Sequence, residues 1–230
     1  MRTLHVALLV SVLVLACKES KRDETSPTSA PKPVASAPTP TPTPAPTPPP
    51  PPTSFAWTEA PALDMIPAGP IHGEANGKPF TVQSVYLEPS FGKWELVLAE
   101  KKLDSPTDMI GLTRAVHVEV DKPAAGQKYA HEMSYGGGFF QVQKGDKLDD
   151  TTSWNAENAW VLEITKWDVK PYDKNGDMFQ QAGTASGRIA VCYKGYGDFK
   201  NSYVAGTFED AVVRYMGEPD FAKPDAGKAK

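Results

Sequence analysis

The chain has 230 residues, with 24 Lys and Arg against 28 Asp and Glu and a formal net charge of −4. That balance excludes a nucleic-acid-binding surface or a polybasic lipid patch built on net charge, so no nucleic acid is expected among the partners. Two cysteines allow one disulfide at most.

In chain order, Arg2 precedes an apolar run from Leu4 to Ala16 that ends at Cys17. The run is shorter than the roughly 20 apolar residues a spanning helix needs, and the charges from Lys18 to Glu24 stop it, so it reads as a cleaved secretory signal. Val14, Leu15, Ala16 and Cys17 resemble the lipobox of bacterial lipoproteins, in which the cysteine is acylated and becomes the new N-terminus. Leu15 departs from the small residue usual before the Ala. The resemblance covers the signal alone and implies a signal peptide over 1–16, lipidation (palmitate) at Cys17 and a place in the bacterial cell envelope. Anchoring through several acyl chains is durable, since each buried methylene adds about 0.8 kcal/mol. Lys18 stands where enteric members of the class use Asp for inner-membrane retention, which favours the outer membrane over the inner. The alternative is an ordinary secretory peptide or anchor helix with a chance cysteine.

With Cys17 carrying lipid, Cys192 has no partner; were Cys17 unmodified, the two could pair. Cys192 lies in Arg188 to Lys194, where Ile189, Val191 and Tyr193 share one strand face and Ala190 and Cys192 the other. No His or basic group accompanies it, so it reads as a small buried apolar residue and not a reactive thiol.

Residues 17–53 combine the lipidated cysteine, a charged run and a tether. Of the chain's 23 prolines, 13 fall between Ser26 and Pro52, interleaved with Thr, Ala and Ser. Such a segment cannot build a core. It populates polyproline II and acts as a disordered, semi-rigid spacer, reaching roughly 80 Å at about 3.1 Å per residue. Residues 54–64 read as a linker into the globular part. Removal of the signal leaves 23 basic against 28 acidic side chains.

Residues 65–216 suffice for one domain with its own hydrophobic core. Ile71 to Ala75 and Lys78 to Leu87 flank Asn76-Gly77, the strongest short hairpin signal. Trp94, Leu96 and Leu98 alternate with Lys93, Glu95 and Val97, as Val116, Val118 and Val120 do with Ala115, His117 and Glu119; both predict half-buried antiparallel strands. Further strands are predicted at Phe139 to Gln143, Ala159 to Trp167, Ala185 to Tyr193 and Ser202 to Tyr215. The last breaks parity between Phe208 and Ala211, as a β-bulge would. Thr107 to Thr113 is the sole helical candidate, and 217–230 reads as a disordered tail. The fold class is therefore all-β, an antiparallel β-sandwich or a partly open β-barrel, with the sandwich favoured. The closing pattern, GRIAVCYK and then SYVAGTFEDAVV, resembles the final hairpin of uncharacterised exported β-domains and implies no activity.

Candidate chemistry is sparse. Asp173, Asn175 and Asp177 around Gly176 resemble the oxygen-rich start of a calcium loop. In an EF-hand, however, Gly stands sixth and Glu twelfth, where here Gly176 is fourth and Thr184 twelfth, so a hairpin turn with an acidic tip is the better reading. His117 and Glu119 share a strand face, and His131 and Glu132 are assigned to a loop. Zinc needs three or four converging ligands, and no HExxH or Cys/His cluster is present, so these read as surface polar residues and no metal is assigned. Gly183 to Gly187 lacks the central Ser of a nucleophile elbow. Gly136 to Gly138 suit a bulge or flexible strand start, or a close backbone approach to a ligand. No catalytic residue and no cofactor is expected.

Aromatic residues are the candidate ligand contacts. Trp154 and Trp160 bracket a polar segment of the kind that binds sugars; Trp160 shares parity with Leu162 and Ile164 and belongs to the core. Trp154, Tyr196 and Phe199 are the predicted contact residues, for an envelope glycan or an envelope protein. The expected function is a membrane-anchored envelope lipoprotein presenting a non-catalytic binding domain. The alternatives are a small envelope hydrolase or metal-dependent enzyme gathering His117, Glu119, His131 and Asp177 in a pocket, and a purely structural lipoprotein.

Overall fold

Apolar alternation is realised as eleven strands in a computed structural model that describes residues 52–105, 108, 113–143 and 151–222. The expectations for residues 1–51, for most of Thr107 to Thr113 and for the tail beyond 222 lie outside the described residues. The strands are β1 (His72–Ala75), β2 (Lys78–Thr81), β3 (Ser84–Ser90), β4 (Lys93–Ala99), β5 (Ala115–Val120), β6 (Lys128–Ser134), β7 (Gly138–Gln143), β8 (Thr151–Trp154), β9 (Asn158–Val169), β10 (Phe179–Tyr193) and β11 (Ser202–Met216). They form one sheet in the order β6-β9-β10-β11-β3-β4-β5-β7-β8, with β1 and β2 beside the first part of β11.

The fold is all-β, and the sheet curls around its own core as a partly open barrel. This is the all-β class expected from sequence, and of its two forms the curled sheet matches the partly open barrel, its described strands following a single hydrogen-bonded path. All strand pairs are antiparallel except β11 with β3. That exception follows from connectivity. β1 pairs antiparallel with β11 at Tyr203 to Ala205, the Asn76-Gly77 turn reverses the chain into β2, and only Val82 and Gln83 separate β2 from β3. β3 thus keeps the direction of β2 and meets β11 in parallel at Val212 and Val213.

The predicted bulge is present. Ala185 pairs with Ala211 and Gly187 with Phe208, so β11 spends one more residue than β10 across that step. Asp210 takes up the turn with φ 48°.

Inside the sheet, one apolar cluster runs from end to end, with an aromatic group at each extremity. Phe80, Phe140 and Tyr193 meet edge to face at centroid distances of 5.4 and 5.3 Å, and Trp154 joins them. At the far end Trp94 contacts Trp167, Tyr215 and Phe221. Such pairs contribute about 0.5–1.5 kcal/mol each beyond their area burial.

Residues 54–64, expected to be a linker, instead begin a strap across the outer face of β9, β10 and β11. Phe55, Leu63 and Ile66 cover Val161, Ala190 and Ala205, and Trp57 Nε1 donates to the Tyr193 carbonyl at 2.9 Å. The strap has no periodicity to betray it, because it packs through scattered apolar residues and one short 3-10 turn, Leu63–Met65. Cys192 is fully buried beneath it, with the side-chain parity read from the sequence.

The triple glycine links β9 to β5, strands from opposite halves of the curled sheet. Gly136 and Gly137 accept from Asn158 Nδ2 (2.7 Å) and Trp160 Nε1 (3.1 Å) on β9, while Gly137 also accepts from the Glu119 N–H at the end of β5. A β-carbon on Gly138 would lie 2.1 Å from the His117 carbonyl oxygen, so only glycine fits. Close backbone approach is realised here, toward the protein's own strands.

Candidate binding site at the Tyr196 end

The loop between β10 and β11 is short, glycine-rich and firmly held. Gly195 donates its N–H to Asn201 Oδ1 (2.7 Å), Phe199 to the Tyr196 carbonyl (3.1 Å) and Lys200 to Asn76 Oδ1 (2.9 Å). Asn76 in turn donates its N–H to Ser202 Oγ (2.8 Å), so the β1–β2 turn and this loop brace each other. Phe199 is half-buried and stacks on Trp154 at 4.9 Å and 19°. These contacts leave Tyr196 projecting, 80% exposed.

Tyr196 separates two hollows. One, about 430 Å³, is lined by Asn76, Tyr196, Gly197, Asp198 and Phe199. The other, about 230 Å³, includes Tyr135, Glu157 and Lys194, the last two ion-paired at 2.7 Å. Tyr135 is also exposed, so two phenol faces stand beside an amide, two carboxylates and an ammonium group. Aromatic faces for stacking and polar groups for hydroxyls make a binding surface.

The structure separates the three predicted contact residues. Tyr196 and Phe199 share the loop, Tyr196 outward and Phe199 underneath as its support. Trp154 is a correction: it is 6% exposed and faces Tyr193 and Phe199 inside the barrel. The reason is β8, which pairs Trp154 with Phe140 and so turns the indole to the core face. Tyr135 and the Glu157–Lys194 pair were missed by the sequence reading. The available signal was an aromatic residue immediately before three glycines, where a chain reversal exposes what precedes it.

The calcium-like turn has its carbonyls occupied. Gln180 Nε2 donates to the Asp173 and Asp177 carbonyl oxygens at 2.7 Å each, and Gln180 Oε1 accepts from the Asp173 N–H at 3.0 Å. Asp173 Oδ1 accepts from the Asn175 N–H, as in an Asx turn. The Gln180 amide thus closes the turn through its own backbone groups.

Among the described residues, the four side chains named for the enzyme alternative have separate surroundings and none of the hollows above gathers them. Asp177 lies in the β9–β10 turn at the far end of the barrel. His131 belongs to β6, not to a loop, and stacks on Trp160 at 5.9 Å. His117 is buried and not a surface residue: it stacks on Phe139 at 4.1 Å, with Nδ1 3.1 Å from Glu95 Oε1. Glu119 pairs instead with Lys93 at 2.6 Å. On the same outer face Arg214 pairs with Glu88 at 2.8 Å and lies over the Tyr86 ring at 4.1 Å. Burial pushes the Tyr86 hydroxyl up, with the Glu88 carboxylate adding to it. His117 Nε2 is buried without a hydrogen-bond partner, yet no nucleophile meets it among the described residues. Nor, among those residues, is any group of three His, Cys, Asp or Glu placed to hold a metal ion.

Burial pushes the Cys192 thiol up to about 11, which keeps it protonated at neutral pH. Comparison of the chain with family models, curated proteins and solved structures finds no match.

Proposed function

We propose that this protein is a lipid-anchored component of the bacterial cell envelope, with the outer membrane favoured, whose β-domain binds an envelope glycan without chemistry of its own. The anchor reading is supported by Val14 to Cys17, by Lys18 and by the proline-rich spacer that follows. The binding reading is carried by one observation: Tyr196 stands exposed between two hollows on a loop that Asn76, Asn201 and the Trp154–Phe199 stack hold in place. A side chain so exposed contributes little to folding, while a fixed loop lowers the entropy lost on binding.

The test is a glycan array probed with the mature chain, followed by titration of any ligand found. Loss of binding in Tyr196→Ala with unchanged thermal stability is the expected result. Binding that survives Tyr196→Ala, or retention of an envelope protein and no glycan, overturns the glycan assignment. The anchor is tested separately, by incorporation of a palmitate analogue that Cys17→Ser abolishes.

A further inference from the structure

The end of the β10–β11 ribbon opposite Tyr196 carries a different surface. β3 and β4 pair as far as Ser90 and Lys93, leaving Phe91-Gly92 as a two-residue turn with φ of 47° and 81°. Two successive positive φ values are the pattern of a type I′ turn, whose first central residue is ordinarily Asn, Asp or Gly. A bulky side chain there is a genuine outlier. Phe91 is also fully exposed, so its ring packs against nothing that would offset the strain.

Other apolar side chains gather at the same end. Met178, Phe179 and Phe221 are exposed. Phe179 pairs with Met216, Gly217 donates to the Met178 carbonyl, and Phe91 shares a small hollow with Met216 to Asp220. Phe221 contacts Trp94, just beyond the turn.

We propose that this end is a lipid-facing surface, with Phe91 inserting into the interfacial region of a zwitterionic bilayer and Met178, Phe179 and Phe221 resting beside it. The exposed side chains project, and none has a polar tip; Phe is among the residues that membrane-surface elements bury at the headgroup boundary. The charges nearby favour zwitterionic over anionic headgroups: Lys93 pairs with Glu119 and Lys174 with Glu218, while exposed Lys122 and Lys170 are offset by exposed Asp121, Asp173 and Asp177.

Chain length permits the same bilayer to serve as anchor and target. The chain reaches the domain at the opposite end, where Trp57 bonds Tyr193 and Phe55 contacts Tyr203. Read from its sequence as polyproline II, the proline-rich stretch would reach roughly 80 Å, whereas the 15 residues of β11 extend about 50 Å. A domain held at Cys17 can therefore turn its far end back to the membrane. This step rests on the lipid-anchor reading; insertion of Phe91 does not.

The experiment uses the mature chain carrying Cys17→Ser, so that no acyl chain contributes, with phosphatidylcholine vesicles. Phe91→Trp should add a fluorescence component that shifts to shorter wavelength on titration with vesicles and is quenched by brominated phosphatidylcholine. Phe91→Asn should lower the partition coefficient at least about tenfold, as expected for withdrawing one phenyl group from an apolar phase, with the protein still folded and binding at Tyr196 unchanged. Salt should have little effect. The proposal is overturned if the Phe91→Trp component is unmoved at millimolar lipid, if Phe91→Asn partitions like its parent, or if only anionic vesicles bind and salt releases them. Acylation of the unsubstituted chain is scored independently, so failure of the anchor and failure of the insertion give different results.

Discussion

Two turns of this molecule share a backbone and differ in everything else. Asn76-Gly77 has φ of 50° and 76°, Phe91-Gly92 has 47° and 81°. At the first, the side chain belongs to the turn: Asn76 tolerates the left-handed conformation and its amide oxygen holds Lys200. At the second, the ring sits in solvent and the turn is formed in spite of it. Strand pairing and glycine suffice to impose a type I′ turn, so the remaining position is free to carry something other than turn chemistry.

The sharpest contrast is between the aromatic groups behind the two turns. Trp154→Ala should destabilise the domain by about 3–5 kcal/mol in chemical denaturation, since it opens a cavity beneath Phe199, whereas Phe91→Ala should fall within about 0.5 kcal/mol of the parent. Similar losses in both variants would mean that Phe91 is packed after all.

Asn76→Ala comes next, at about 1–2 kcal/mol, because it removes the acceptor for the Lys200 N–H and leaves an alanine at positive φ. Asn76→Gly should recover part of that loss, and hydrogen exchange at Lys200 should report the freed loop in both.

Alkali gives a third test at the Asn76 end. The folded Cys192 thiol titrates near 11, above its ordinary 9.0. The unfolded chain therefore loses this proton first, and stability present below pH 9 falls as pH rises toward 11. The loss at pH 10 is roughly 1.4 kcal/mol from this group. Cys192→Ala should remove that component from the pH profile, leaving the fall from buried Tyr86 and Tyr193, whose hydroxyls burial also pushes up and whose loss begins at higher pH because their ordinary value is 10.0.

Phe91→Asn is the smaller effect and the opposite in sign. Supplying the usual turn residue should stabilise the domain by about 0.5–1 kcal/mol, measured as a raised Tm. Smallest of all, Tyr196→Ala should alter stability by less than about 0.5 kcal/mol while abolishing ligand binding.

What could be read from the residues follows the same division. The Asn76-Gly77 hairpin, β4, β5 and the Phe208 to Ala211 bulge were legible because apolar alternation and turn residues are local signals. β8 was not, since Thr151–Trp154 has one large apolar residue and owes its existence to pairing with β7. That omission sent Trp154 to the surface in the sequence reading. His117 was misplaced for a related reason: its strand face is outward, but the Phe139 ring and Glu95 enclose it there. Tyr196 and Phe199 were found as aromatics in a glycine loop, though only the Trp154 stack shows which of them faces out. Phe91 was passed over because nothing in Ser-Phe-Gly-Lys announces a turn; its conformation is dictated by the strands on either side.

The strap over β9, β10 and β11 also has a mechanical meaning. Any pull arriving through the residues before Phe55 loads the Trp57–Tyr193 hydrogen bond and the contacts of Leu63 and Ile66 before it loads a strand. Those contacts are few and can be peeled away one after another, whereas the ladder between β10 and β11 bears load over most of its length. The strap is thus the compliant element in series with a stiff one. Its opening would bare Ala190 and Cys192, so a thiol reagent that ignores the resting domain becomes a gauge of tension on the strap.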